Sequence, residues 1–125
     1  MTDDQWGLIA AAVVLVAGAV LARQVTRAAA RGSLRPNHVA GMRTSATMSS
    51  PEAWQAGHRA ALPWTDTAAA GCLVLAVAAV LLMVADVGLG WSLGVVTVGA
   101  VLLLVGALGG GLVAHRVAKR VRAGR

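Results

Sequence analysis

The chain of 125 residues contains no Tyr and no Phe, one Cys, three Pro and five acidic residues. A single cysteine excludes an intramolecular disulfide, and Cys72 reads as a small buried apolar side chain. More is excluded by where charge is missing. Residues 7–22, 67–85 and 92–114 contain no Asp, Glu, Lys, Arg or His. Ion paths and proton relays normally require such groups at membrane depth, so a self-sufficient transporter or pump is not expected. His38, His58 and His115 do not repeat at ligand spacing, so no metal site is expected from them, nor any cofactor. A positively charged start is also absent. The chain opens Met1-Thr2-Asp3-Asp4, and its first cation, Arg23, follows the first apolar run, so that run is read as a retained anchor rather than a cleaved signal peptide.

What is present is apolar: 58% of the residues are hydrophobic. The three uncharged runs are each long enough, or nearly so, to cross a hydrocarbon core of about 30 Å as a helix. The fold class expected is an all-α integral membrane protein, one domain over residues 1–125, with three transmembrane helices and a cytoplasmic amphipathic helix between the first and second. Its expected parts are an outer N-terminus (1–5), a first span (6–23), a cytoplasmic loop (24–63), a second span (64–86), an outer turn (87–90), a third span (91–114) and a basic tail (115–125). All eleven Lys and Arg residues lie in the loop, at the flank of the first span or in the tail. Positive charge stays on the cytoplasmic side, which predicts the N-terminus outside and the C-terminus inside. Against Glu52 and Asp66 those cations leave +9 inside, and Asp3, Asp4 and Asp86 leave −3 outside, together the net +6. Ten Arg against one Lys, with a single Ile and a single Asn, fits a GC-rich bacterial genome.

Trp6, Trp64 and Trp91 fall at span ends, where amphipathic rings favour the headgroup level. Within the spans, Gly18 and Ala22, Gly90 and Gly94, Gly106 and Gly110, and Ala107 and Gly111 are small pairs four apart, a spacing that lets helix backbones approach. Gly106 and Gly110 are the best candidate packing face, against either the chain's own helices or another molecule. After the first span the helix is expected to continue, because Arg23, Arg27 and Arg31 recur within about 80° of one another in Ala-rich sequence. Gly32 and Pro36 end it. A second helix begins at Ser49-Ser50-Pro51-Glu52, with Ser50 as N-cap and Pro51 at the first helical position, or with Ser49 and Glu52 as a capping box. Trp54, His58, Ala61 and Leu62 share one face of it, and Glu52, Gln55 and Arg59 another. Pro63 is expected to stop it, leaving a short helix in the inner interface with Trp54 inserted and Arg59 at the lipid phosphates.

Asn37-x-x-x-Gly41-x-Arg43-Thr44, the Ser50-Pro51-Glu52 helix start and Trp54-x-x-x-His58-Arg59, all between two spans, resemble the signature of the SdpI-like family of small bacterial membrane proteins. The resemblance implies immunity to a secreted toxic peptide, with a signalling arm in which a transcriptional repressor is held at the membrane. It also implies that Asn37, Gly41, Arg43, Thr44, Trp54, His58 and Arg59 form a binding constellation. The chain carries the family's three-span module without the additional N-terminal spans of larger members. Each motif residue has a plainer reading as well. Asn37 and Gly41 suit a turn, Arg43 suits general attraction to anionic lipid, His58 suits packing, and Trp54 and Arg59 suit interfacial anchoring.

Two functions follow. One is toxin immunity or membrane signalling through a protein partner, either toxin or repressor. The other is an accessory or assembly subunit of a larger membrane complex, joined or oligomerised through glycine faces. Anionic inner-leaflet lipid is an expected partner of both, and nucleic acid of neither. An enzyme is not expected, because no nucleophile has a base beside it: Glu52 and His58, six apart on one helix, face differently.

Overall fold

The computed structural model describes every residue from Met1 to Arg125. It contains α1 (Asp3–Arg31), a 3-10 turn (Thr47–Ser49), α2 (Pro51–Val84) and α3 (Leu89–Ala123), and no strand. All three α-helices are long and apolar enough to cross a membrane, so the chain is a multi-pass membrane protein. α1 is started by Thr2. Its hydroxyl accepts the Gln5 N–H while the Gln5 side chain accepts the Thr2 N–H, and Asp3 and Asp4 occupy the first turn, where the helix dipole favours acids. Gly32 ends it in the left-handed region at φ 81°, and the Leu34 N–H reaches back to the Ala28 carbonyl at 3.1 Å.

The helices contain 29, 34 and 35 residues. At 1.5 Å per residue they run about 44, 51 and 53 Å, well beyond the core thickness of about 30 Å. Most of the surplus lies at the basic end, where α1 runs on past Ala22, α2 begins long before Thr67 and α3 continues past Ala114. The molecule therefore carries a helical stub on its basic side. Residues 115–123 of the expected tail are the last turns of α3, which ends at Ala123.

The separate amphipathic helix expected between the first two spans is corrected. Pro51–Val84 is one unbroken helix with Pro63 inside it. A proline in a helix interior removes one backbone bond and costs about 3 kcal/mol. Packing on both sides of it overrides that cost. Trp54, His58, Ala61, Thr65, Ala68, Cys72, Ala76 and Ala79 are all buried and form one stripe that keeps its phase through Pro63, which itself lies on the exposed side. Two residues on, the Thr65 hydroxyl donates back to the Leu62 carbonyl at 3.2 Å, an ordinary i−3 side-chain bond within the helix.

α2 is the central helix, packed along both α1 and α3, which touch each other far less. Its contacts are made by small residues. A Cβ on Gly106 would stand 2.6 Å from the Ala68 Cβ, and one on Gly110 would meet Met42 Cε at 2.9 Å and Ala61 Cβ at 3.6 Å. One on Gly57 would stand 2.9 Å from the Ala114 carbonyl oxygen. Gly106 and Gly110 thus face the chain's own α2. In mid-membrane the buried Cys72 thiol donates to the Gly99 carbonyl at 3.3 Å. At the basic end of the apolar runs, Asp66 on α2 accepts from Arg23 Nε at 2.9 Å and Arg27 Nη2 at 3.1 Å, tying α2 to α1. Farther out, Ala46, Ala53 and Ala118 form a small core under Val121.

Lipid supplies no hydrophobic drive for helix association, so close packing carries it. Gly106→Leu should cost about 1–3 kcal/mol by overpacking. Val101→Leu, at an exposed position, and Gly18→Leu, where a Cβ meets nothing within 4 Å, should cost little. Thermal unfolding in mild detergent measures this, and equal midpoints for all three variants would remove the packing claim.

Candidate functional site

The connection from Gly32 to Ser50 folds against the stub, and side chains of α2 hold it there. Ser50 is the N-cap of α2: its hydroxyl accepts the Ala53 N–H at 3.1 Å, and Pro51 follows at the first helical position, where no N–H is needed. Starting the helix there sets Trp54 and His58 one turn apart on the face that meets the loop. Trp54 is fully buried, and its Nε1–H donates to the Leu34 carbonyl at 2.8 Å. The expected insertion of Trp54 into lipid is corrected: the ring is a pillar under the loop, because a buried indole needs an acceptor and Leu34 supplies one.

His58 is also fully buried and lies 4.1 Å from the Trp54 ring, centroid to centroid. Its Nδ1 is 2.8 Å from the Trp54 carbonyl, which can only accept, so the proton resides on Nδ1. Nε2 is then a free lone pair, and it accepts the Met42 N–H at 2.8 Å. Both ring nitrogens are occupied. Gly41, just before this bond, has φ 105°, and a Cβ there would lie 2.6 Å from Trp54 Cη2 and 2.9 Å from His58 Nε2. Only glycine fits both the backbone angle and the space.

Asn37 shapes the loop from within. Its Oδ1 accepts the Val39 and Ala40 N–H groups at 2.9 and 2.8 Å, and its Nδ2 donates to the Arg35 carbonyl at 2.8 Å. Arg43 closes the same turn by donating through Nη1 to the His38 carbonyl. Thr44 and Thr47 form a reciprocal clasp. The Thr44 N–H donates to Thr47 Oγ1 at 2.8 Å and the Thr47 N–H to Thr44 Oγ1 at 3.1 Å. The Thr47 hydroxyl donates to the Met42 carbonyl at 2.6 Å.

Thr47 was not among the candidates from sequence, although it is fully buried at the centre of this network. The Thr44-x-x-Thr47 spacing, the pattern of a reciprocal cap, is the signal that marks it. Gly57 was missed too, since the approach of α3 behind it has no local signature. Arg59 stands apart from the loop residues: it is exposed and points across to α1, with Nη2 3.5 Å from the Ala30 carbonyl. Glu52 pairs with Arg125 at the end of α3. Its backbone N–H, and then the Arg125 guanidinium, hold the Glu52 carboxyl below its ordinary value.

The constellation therefore divides. Asn37, Gly41, Thr44, Trp54 and His58 are framework, and Arg43 lies on the outside with Arg35, His38 and Val39. Burial pushes the His58 imidazole below its ordinary titration range, against a smaller raising effect of the Trp54 carbonyl. Protonation would place a second N–H against the Met42 N–H.

The folded protein thus resists a proton that the unfolded chain accepts near pH 6.5, so stability is full above about 6.5 and falls as the pH drops below it. Unfolding midpoints from pH 8 to 5 should show this fall, and His58→Gln should flatten it. An unchanged slope in that variant would contradict the bonding described.

A model of the SdpI/YfhL protein family matches residues 33–114, which takes in the loop from Ser33 onward, α2 and the membrane-crossing part of α3. Every residue from Asn37 to Arg59 discussed above lies inside the match. No curated protein and no solved structure matches the chain. With the loop motif, its framework and the helices that carry it all inside the matched region, the chain belongs to the SdpI/YfhL protein family.

Proposed function

We propose that the protein works by protein recognition at the membrane, as an immunity or signalling protein of SdpI type, and that the loop between α1 and α2 is the recognising element. The observation that carries this reading is a loop braced from behind by hydrogen bonds, with an exposed crest. Val39 is 87% exposed, between the exposed His38 and Arg43, on a backbone held from behind by Asn37, Trp54 and His58. Such preorganisation lowers the ordering cost of binding, and an apolar residue displayed between polar ones suits a partner with an apolar contact and an acidic rim. Lipid anchoring alone gives no reason for the buried framework. In the orientation proposed, N-terminus outside and C-terminus inside, the loop meets a cytoplasmic partner such as a repressor, and a secreted toxin meets the outer turn or the helix faces. No catalytic step is invoked.

The accessory-subunit reading relied most on Gly106 and Gly110, and those glycines are occupied by α2. It retains Gly18, Gly90, Gly94 and Gly111, where a Cβ would meet nothing within 4 Å.

Orientation is tested by cysteine labelling of intact cells on a Cys72→Ser background. Thr2→Cys and Gly88→Cys should react from outside and Ser45→Cys and Ala123→Cys should not, and external labelling at position 45 would reverse the assignment. Recognition is tested by toxin survival or partner retention at matched membrane levels. Arg43→Lys, which keeps charge but loses the planar fork, and Val39→Asp should each impair function severalfold or more, while Arg122→Lys should not. If Arg43→Lys and Val39→Asp both work like the parent, the loop is not the recognising element.

A further inference from the structure

We propose that the cleft between α1 and α2 bounded by Arg27, Arg31 and Arg59 binds the phosphodiester headgroup of an anionic phospholipid. Arg27, Ala30 and Arg31 of α1 and Arg59 and Leu62 of α2 line an open cavity of about 270 Å³. Its charge is unbalanced within the protein. Asp66 is shared between Arg23 and Arg27, and Glu52 is engaged by Arg125. The remaining acids, Asp3, Asp4 and Asp86, belong to the opposite end of the molecule. Arg31 has no carboxylate partner, and Arg59 has only the Ala30 carbonyl at 3.5 Å, which leaves most of its donors unused. Two guanidinium groups from neighbouring helices thus face one cleft with forks suited to phosphate oxygens.

Depth selects a lipid as the source of that phosphate. Arg23 directly follows the first apolar run, so Arg27 and Arg31 lie about 6 and 12 Å farther along α1. The headgroup layer on each side of the hydrocarbon is roughly 5–8 Å thick, so Arg27 lies within it and the Arg31 backbone just beyond it, from where a long side chain reaches back. Ala30 and the half-buried Leu62 add an apolar wall for the glycerol end of the lipid. Generic attraction of basic residues to anionic lipid does not require a cleft, an unpaired pair of arginines on adjacent helices, or this depth; the site has all three.

The test uses the full chain in neutral detergent, with native mass spectrometry and unfolding midpoints on adding phosphatidylglycerol, phosphatidylcholine of the same chains, inorganic phosphate or an acidic peptide. Phosphatidylglycerol should bind as a retained adduct and raise the midpoint, and the other three should not. Arg31→Gln with Arg59→Gln, both exposed positions, should weaken phosphatidylglycerol binding about tenfold or more by removing charge-assisted bonds. Arg120→Gln with Arg122→Gln, an equal charge loss in the last turns of α3, should weaken it less than about twofold. Equal losses in the two double variants would show a generic basic surface and overturn the site. Unchanged binding in the first pair would also overturn it. Tighter binding of inorganic phosphate, or of the acidic peptide, through Arg31 and Arg59 would reassign the cleft to a soluble anion or to a protein.

Discussion

A neutral imidazole with a proton on Nδ1 and a lone pair on Nε2 can join a backbone carbonyl to a backbone N–H, and His58 does this between Trp54 and Met42 at 2.8 Å on each side. The rest of the basic end depends on that arrangement. Met42 can meet Nε2 only if the residue before it passes directly over the Trp54 and His58 rings, so position 41 must be glycine with a positive φ. The other backbone group of Met42, its carbonyl, is taken by Thr47, which is itself clasped to Thr44. A buried polar backbone left without partners would cost about 1–3 kcal/mol per group, so these bonds are conditions for the loop to lie where it does.

The unbroken α2 joins this framework to the membrane. The helix that carries Trp54 and His58 at one end carries Ala68 against Gly106 and Cys72 against Gly99 farther along. Trp64, between the two regions, covers Gly109, where a Cβ would lie 2.3 Å from its ring. The pillars of the loop and the close contacts with α3 thus belong to one helix. Asp66 adds α1 to the same unit at the headgroup level.

Much of this was legible in the sequence, for identifiable reasons. Uncharged runs of span length predict the three membrane helices, and Arg23, Arg27 and Arg31 with Gly32 predict how far α1 continues. Ser50 and Pro51 mark the start of α2. Pro63 misled, because proline is a local signal and the stripe from Trp54 to Ala79 that overrides it is a tertiary one. Trp54 misled for a similar reason: an indole near a membrane end reads as an anchor until an acceptor such as the Leu34 carbonyl is placed beside it. The roles of Asn37 and Gly41 as turn formers agree with their plainer readings, whereas Thr47 is marked only by its spacing from Thr44 and Gly57 by nothing local. Arg59, grouped with the loop by spacing, belongs by geometry to the cleft with α1.

The loop's fold rests on the protonation and bonding of one side chain, His58. The measurement closest to it is a long-range 1H–15N correlation spectrum of the histidine-labelled protein in bicelles at neutral pH. His58 should appear as a single neutral tautomer with its proton on Nδ1 and Nε2 accepting a hydrogen bond, and the Met42 amide should be protected from exchange. An Nε2–H tautomer, or a ring that titrates freely with an unprotected Met42 amide, would contradict the fold of the loop described here.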